Sequence, residues 1–215
     1  MNEYTHCPNC NAAIKSGLLS SVSILESPAI SIINEYHTDK KEAYCTKCGL
    51  VLLDKYSNQL RNEKEKIKTF FQKHIHNIPV VSTHSPLHWD YHALGIVTGQ
   101  STTGTGVFAE FASAWTDILG RQSGVYNEKI KNGEKLCLAQ LRKQTIEMGG
   151  NAIIAVDIDY SEMGGIKGMI MVCMTGTAVD LRNIEIFGEE TETKTQELKK
   201  AMQRLVHLET YKVLE

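Results

Sequence analysis

The chain lacks most of the features that would assign it an activity at sight. It has no basic surplus: Lys and Arg total 23 against 25 Asp and Glu, for a net charge of -2. Proteins that clamp phosphate backbones usually carry such a surplus, so nucleic-acid binding is not expected, although a local basic patch is compatible with these totals. No apolar run approaches the roughly 20 residues needed to cross a bilayer. The stretch Met1 to Cys7 has no positive region followed by an apolar one, so no signal peptide and a cytoplasmic location are expected. No Ser/His/Asp order, H-E-x-x-H helix or dinucleotide fingerprint occurs. Only 4 prolines occur, so Pro79 and Pro86 stand out as punctuation around a turn-rich segment.

What is present is cysteine, in a pattern. Of the 6 cysteines, four form two close pairs, Cys7-Pro8-Asn9-Cys10 and Cys45-Thr46-Lys47-Cys48. A C-x-x-C turn sets two sulfurs along one edge of a tetrahedron, and two such turns supply four ligands for one zinc ion. A redox motif, a disulfide pair and an iron centre are the alternatives. A redox motif needs one pair rather than two, and a reducing compartment disfavours disulfides. Zinc is therefore preferred, in a closed structural site with no position left for water. Asn11 and Gly49 follow the two knuckles and are expected at positive φ, letting backbone N–H groups curl back towards the thiolates. Lys40, Lys41 and Lys47 would offset the site's negative charge. In the long insert between the pairs, Val22 to Leu25 and Ile30 to Ile33 are expected as strands.

The rest of the chain reads as α+β. A zinc ribbon is expected over 1–53, a helical connector over 54–86, an α+β domain over 87–188 and an amphipathic C-terminal helix over 189–215. The connector's helix rests on Leu60, Ile67, Phe71 and Ile78. Ala93 to Thr98 reads as a strand, followed by a small-residue loop to Gly106. Val107, Phe111, Trp115 and Ile118 mark a first helix of this domain. Tyr126, Ile130, Cys137, Leu141 and Met148 mark a second, ended by Gly149-Gly150. Asn151 to Tyr160 and Gly168 to Asp180 read as strands joined by a hairpin loop, Ser161 to Gly165. In the last strand Met169, Met171, Cys173 and Val179 share one face, and Ile170, Val172, Met174 and Ala178 share the other. Both faces are apolar. Burying both requires a second layer, for which another subunit, the connector or the C-terminal helix is a candidate. The C-terminal helix, with Leu198, Leu205 and Leu208, is expected to dock on its own domain.

Candidate chemistry beyond the cysteine pairs is thin. Asp157 and Asp159 alternate on one strand and so share a face. With Glu162 they form either a hard-cation or acid/base site or a charged strand edge. Cys137 and Cys173 read as small core residues rather than ligands. His84, His88 and His92 are four apart, but Pro86 breaks the helix that would align them, so solvated loop histidines are expected. The Ser101–Gly106 loop lacks the lysine of a phosphate-binding loop. Arg121 and Ser123 are candidates for contact with a ligand or a neighbouring subunit, and the subunit is preferred.

Five blocks carry a resemblance: Leu94 to Gly99, Phe111 to Ser113, Asp117 to Tyr126, Gly150 to Tyr160, and Met169 to Val172 with Gly176 to Val179. Together they resemble the YbjQ-like family, an uncharacterised bacterial family labelled heavy-metal-binding. The resemblance implies an α+β subunit and a ring-like homopentamer. It supplies no catalytic residues, and the ribbon, connector and C-terminal helix lie outside it. The expectation is a non-enzymatic oligomeric scaffold that displays zinc ribbons to a protein partner. A metal- or ligand-handling protein, conceivably an enzyme, with Asp157 and Asp159 between subunits, is the alternative. A nucleic-acid-binding ribbon is a third.

Overall fold

The computed structural model describes residues 4–15, 21–103, 125–162 and 170–211. The expected helix over Val107 to Ile118, Arg121 and Ser123, the end of the Ser101–Gly106 loop and the tip of the hairpin loop lie outside those residues. The described chain forms two compact units, one of residues 1–69 and 203–215 and one of residues 70–202. Their boundaries fall inside helices, so the partition differs from a division by sequence into four consecutive parts.

In the first unit, single bridges His6↔Ala13, Lys15↔Val22 and Ile24↔Cys45 form a small ribbon that carries the cysteine pairs. Helix α1 spans Ser27–Tyr36 and helix α2 spans Thr46–His74. The strand expected at Ile30 to Ile33 is corrected to helix. Pro28 sits in its first turn, where a missing N–H costs nothing. Ala29, Ile32 and Ile33 then fall on one face and are buried. Ile32 and Ile33 meet Tyr44, Tyr56, Leu60 and Leu208 in a single core.

Leu208 belongs to helix α4, Glu189–Glu209, whose last turns therefore close the N-terminal core. A polar cluster fixes that closure. Arg204 makes a paired contact with Glu63 (Nε to Oε1 2.7 Å, Nη2 to Oε2 3.1 Å) and a further one with Glu35. Tyr211 and His207 also reach Glu35 Oε2, at 2.6 and 3.1 Å. Burial alone would raise the Glu35 carboxyl. The Tyr211, Arg204 and His207 contacts outweigh it and hold the group down at about 2.

In the second unit, β1 (Tyr91–Thr103), β2 (Ala152–Glu162) and β3 (Ile170–Leu181) form an antiparallel sheet in the order β1-β3-β2. Helix α3, Val125–Glu147, packs on one face. Cys137 and Leu141 from the helix meet Val97, Ile153, Val172, Met174 and Ala178 from the sheet. Gly149 ends α3 as expected, at φ 83°, with the Gly149 N–H on Ile146 and the Gly150 N–H on Thr145. The helix lies so close to β1 that a Cβ on Gly99 would stand 2.6 Å from the Cys137 carbonyl oxygen.

The second sheet face is covered at one end, where Ala152, Ile154, Val179, Leu181 and Ile184 pack with Trp89 and Tyr91. At the other end Met171 and Cys173 are half-buried, Thr175 is exposed, and Ile96 is 78% exposed. The segment around residue 81, Trp89 and the turn at Ile184 thus cover half of the apolar face noted in the sequence. A bulge between Ile154 and Asp157, with Ala155 at φ 53°, sets the register of β2.

Two outcomes follow. Gly99→Ala should cost about 2 kcal/mol, because backbone rather than a flexible side chain occupies the space; denaturant unfolding measures it. Glu35 should contribute about 2 kcal/mol to stability, allowing for partial exposure. Because its carboxyl is depressed, that contribution is complete above about pH 4.5 and is lost as pH falls towards 2. The unfolding free-energy difference between wild type and Glu35→Gln, taken in matched buffers, should shrink over that window.

Candidate metal centre

The first knuckle is a tight turn. The Asn11 N–H donates to the Cys7 carbonyl at 2.9 Å, and the Cys7 N–H to the Ala12 carbonyl at 2.8 Å. Asn11 sits at φ 56°, the positive value expected of it. The second knuckle is the first turn of α2. The Gly49 N–H donates to the Cys45 carbonyl at 2.7 Å, an i to i+4 helical bond. Gly49 is therefore helical, which corrects the expectation of positive φ. Its small size is needed for a different reason: a Cβ there would meet Leu25 Cδ1 at 2.5 Å and Tyr44 Cβ at 2.9 Å. The helix start also aims its partial positive charge at the sulfurs.

The sulfurs of Cys7, Cys10, Cys45 and Cys48 all lie within 4.8 Å of one another. Cys10 lies 3.5 Å from Cys45, Cys7 3.7 Å from Cys48 and Cys45 3.7 Å from Cys48, sulfur to sulfur. Four thiolates placed at about 2.3 Å around one tetrahedral ion would stand about 3.8 Å apart, so the set fits a four-sulfur metal site. None of the four is in a disulfide. The Cys45 N–H donates to Cys7 Sγ at 3.3 Å, and Asn9 Nδ2 to Cys48 Sγ at 3.4 Å. Lys41 is occupied elsewhere, 2.8 Å from Asp39. Counter-charge at the sulfurs comes from amides and the helix start rather than from that lysine.

The thiols are unequal. Burial would raise Cys7, but the N–H groups of Cys10, Asn9 and Cys45 outweigh it and bring the thiol down to about 6. Burial and the neighbouring sulfurs push Cys48 up to about 12, against the opposing Asn9 amide. At Cys10 the Ala12 N–H favours the thiolate, yet burial and the Cys45 and Cys7 sulfurs leave the group raised. Four thiolates repel one another unless a cation sits among them.

The other candidates do not converge. Among the described residues, the four cysteines are the one group of three or more Cys, His, Asp or Glu side chains placed to share a metal. Asp157 and Asp159 share a face, since they oppose Thr175 and Cys173, and both are exposed. Asp159 Oδ1 accepts the next residue's N–H, from Tyr160, at 2.9 Å. Cys137 is buried, donates to the Val172 carbonyl at 3.4 Å, and is raised to about 11 by burial. It is a core residue, as expected. Sequence reasoning missed Asn9, whose amide serves Cys48; its place inside the first knuckle was the available signal.

Residues 80–182 match the model of a family described as "putative heavy-metal-binding". UPF0145 proteins of Actinobacillus pleuropneumoniae serotypes 5b and 3 are each 39% identical over 88 residues, which is 41% of this chain and 83% of theirs. The chain belongs to this YbjQ family. A protein of unknown function of the DUF74 family from Pediococcus pentosaceus is similar over 47% of this chain and 95% of its own, at 13% identity and a TM-score of 0.31. All four clustered cysteines lie outside the matched residues. No helix among the described residues is long and apolar enough to cross a membrane.

Thiol ligation predicts proton release. At pH 7 the raised thiols of Cys10 and Cys48 hold protons that a metal must displace. Calorimetric titration of metal-free protein in buffers of different ionisation enthalpy should report release of about two protons or more per site. Release near zero would exclude the four-thiolate arrangement.

Proposed function

We propose that Cys7, Cys10, Cys45 and Cys48 hold one structural zinc ion, and that the chain is a non-enzymatic oligomeric binding or scaffold protein built on a YbjQ-family domain. The convergence of the four sulfurs carries the first part. Zinc suits it because a d¹⁰ ion imposes no geometry of its own and takes four thiolates tetrahedrally. With every corner filled by protein, such a site offers no place for a substrate or water, so its contribution is to folding. Reduced cysteines fit a cytoplasmic location.

The oligomeric part, a homopentamer in the reading given by family resemblance, is supported by the half-open sheet face. Ile96, Met171 and Cys173 line apolar surface that a neighbouring subunit would bury. An oligomer displaying several ribbons would multiply weak contacts with a protein partner. The exposed Leu50 and Val51 on the first turns of α2, next to Cys48, suit such a partner.

Purified protein prepared without chelator and with reduced thiols should contain one zinc per chain by elemental analysis. Cys7→Ser should lower that content several-fold and destabilise residues 1–69 more than the sheet unit, read by hydrogen exchange. Zinc far below one per chain, or another metal in its place, would overturn the assignment. Light scattering should give a mass several times 24.0 kDa, and a strict monomer would remove the scaffold reading.

A further inference from the structure

The outer strands of a sheet present rows of N–H and C=O groups that can recruit another strand. Among the described residues, β1 and β2 are both outer strands. β2 is served by backbone. Ile153 donates to Pro79 at 2.9 Å, Val81 to Ile153 at 2.9 Å, Ala155 to Thr83 at 3.1 Å and Val156 to Val81 at 3.2 Å. Farther along β2, the Asp159 carboxylate takes the Tyr160 N–H.

β1 is served differently. Gln144 accepts the Thr98 N–H on Oε1 at 3.1 Å and donates from Nε2 to the Thr98 carbonyl at 2.6 Å. Gln140 does the same for Gln100, at 2.9 and 3.1 Å. Each primary amide offers the donor and acceptor that a peptide group of a neighbouring strand would offer. The spacing also matches: four residues along a helix rise about 6.0 Å, and two along a strand about 6.8 Å. One helix thus presents two peptide-like groups in strand register.

We propose that Gln140 and Gln144 act as a side-chain strand that closes the edge of β1 against pairing with a second copy of this chain. A second copy is the occupant that the edge itself suits. Thr98 and Gln100 lie symmetrically about Gly99, so two antiparallel β1 edges related by a two-fold axis would pair Thr98 of each with Gln100 of the other. With the glutamines in place, association is directed away from this edge. The proposal does not depend on the metal or on the scaffold reading.

The test compares wild type with Gln140→Ala/Gln144→Ala in the full chain. In wild type, the Thr98 and Gln100 amides should exchange slowly. In the double variant, at a concentration low enough to keep it unassociated, they should exchange about tenfold faster, on the order expected for the loss of one hydrogen bond each. Sedimentation velocity should show new, concentration-dependent association of the variant beyond the wild-type state. Adding Thr98→Pro should reverse that association by removing the outward N–H that the second copy's Gln100 carbonyl would accept. Free exchange of both amides in wild type would overturn the proposal. So would faster exchange in the variant with no change in assembly, because the second copy would then not be the occupant. If the double variant fails to fold, exchange in wild type and in each single variant decides the matter: protection at Thr98 lost only in Gln144→Ala and at Gln100 only in Gln140→Ala supports the gate, and any other pattern rejects it.

Discussion

Four sulfur atoms gathered within 4.8 Å make an arrangement that the polypeptide cannot sustain by apolar packing alone. Thiols are weak hydrogen-bonding groups, and thiolates repel. The surroundings of the cluster are organised around that difficulty. The N–H groups of the first knuckle and of Cys45 turn towards Cys7, the Asn9 amide serves Cys48, and α2 begins at the second knuckle with its positive end towards the sulfurs. These devices depress one thiol and leave two raised, which is incomplete neutralisation. A cation at the centre of the cluster would complete it. The core of the unit then follows, since α2 carries Tyr56 and Leu60 from the second knuckle into contact with α1 and with Leu208 of α4.

The closure by α4 joins residues more than a hundred positions apart. Leu208 supplies the apolar part, and Arg204 supplies the charged part by spanning Glu35 and Glu63. A charge cluster of this kind gains little if it is exposed and costs much if one member is removed from a half-buried set. Glu35, with its side chain 14% exposed, is at the buried end of that range. The arrangement therefore specifies which helix face docks more than it adds net stability.

The sequence made much of this legible, in proportion to how local the signal was. The two C-x-x-C turns, the strands around Val97, Ile153 and Val172, and the Gly149 stop to α3 are set by spacing and by backbone chemistry within a few residues. At Ile30 to Ile33 the β-branched isoleucines mask the helical period and suggest a strand. Ala29, Ile32, Ile33 and Tyr36 repeat at helical spacing, and Pro28 marks a helix start. A glycine after a knuckle suggests backbone freedom, yet the role of Gly49 is clearance for Leu25 and Tyr44, a tertiary fact that no local pattern announces. The Arg204 cluster was illegible for the same reason. Gln140 and Gln144 look like ordinary polar residues of an exposed helix face until β1 is placed beside them.

The separation between the cysteine cluster and the family match decides how the heavy-metal description applies to this chain. The relatives align with the sheet and α3, and the thiolate cluster lies wholly N-terminal to them. Within the described part of that matched domain no comparable ligand set converges; its buried cysteine is an inert core thiol, and its paired aspartates stand exposed on an outer strand. Exposed carboxylates on an outer strand resist edge-to-edge pairing, and Asp159 also satisfies a backbone N–H there. The sheet's geometry thus gives Asp159 a structural role. Among the described residues, the ligand set that converges lies in the ribbon, outside the residues that carry the family match.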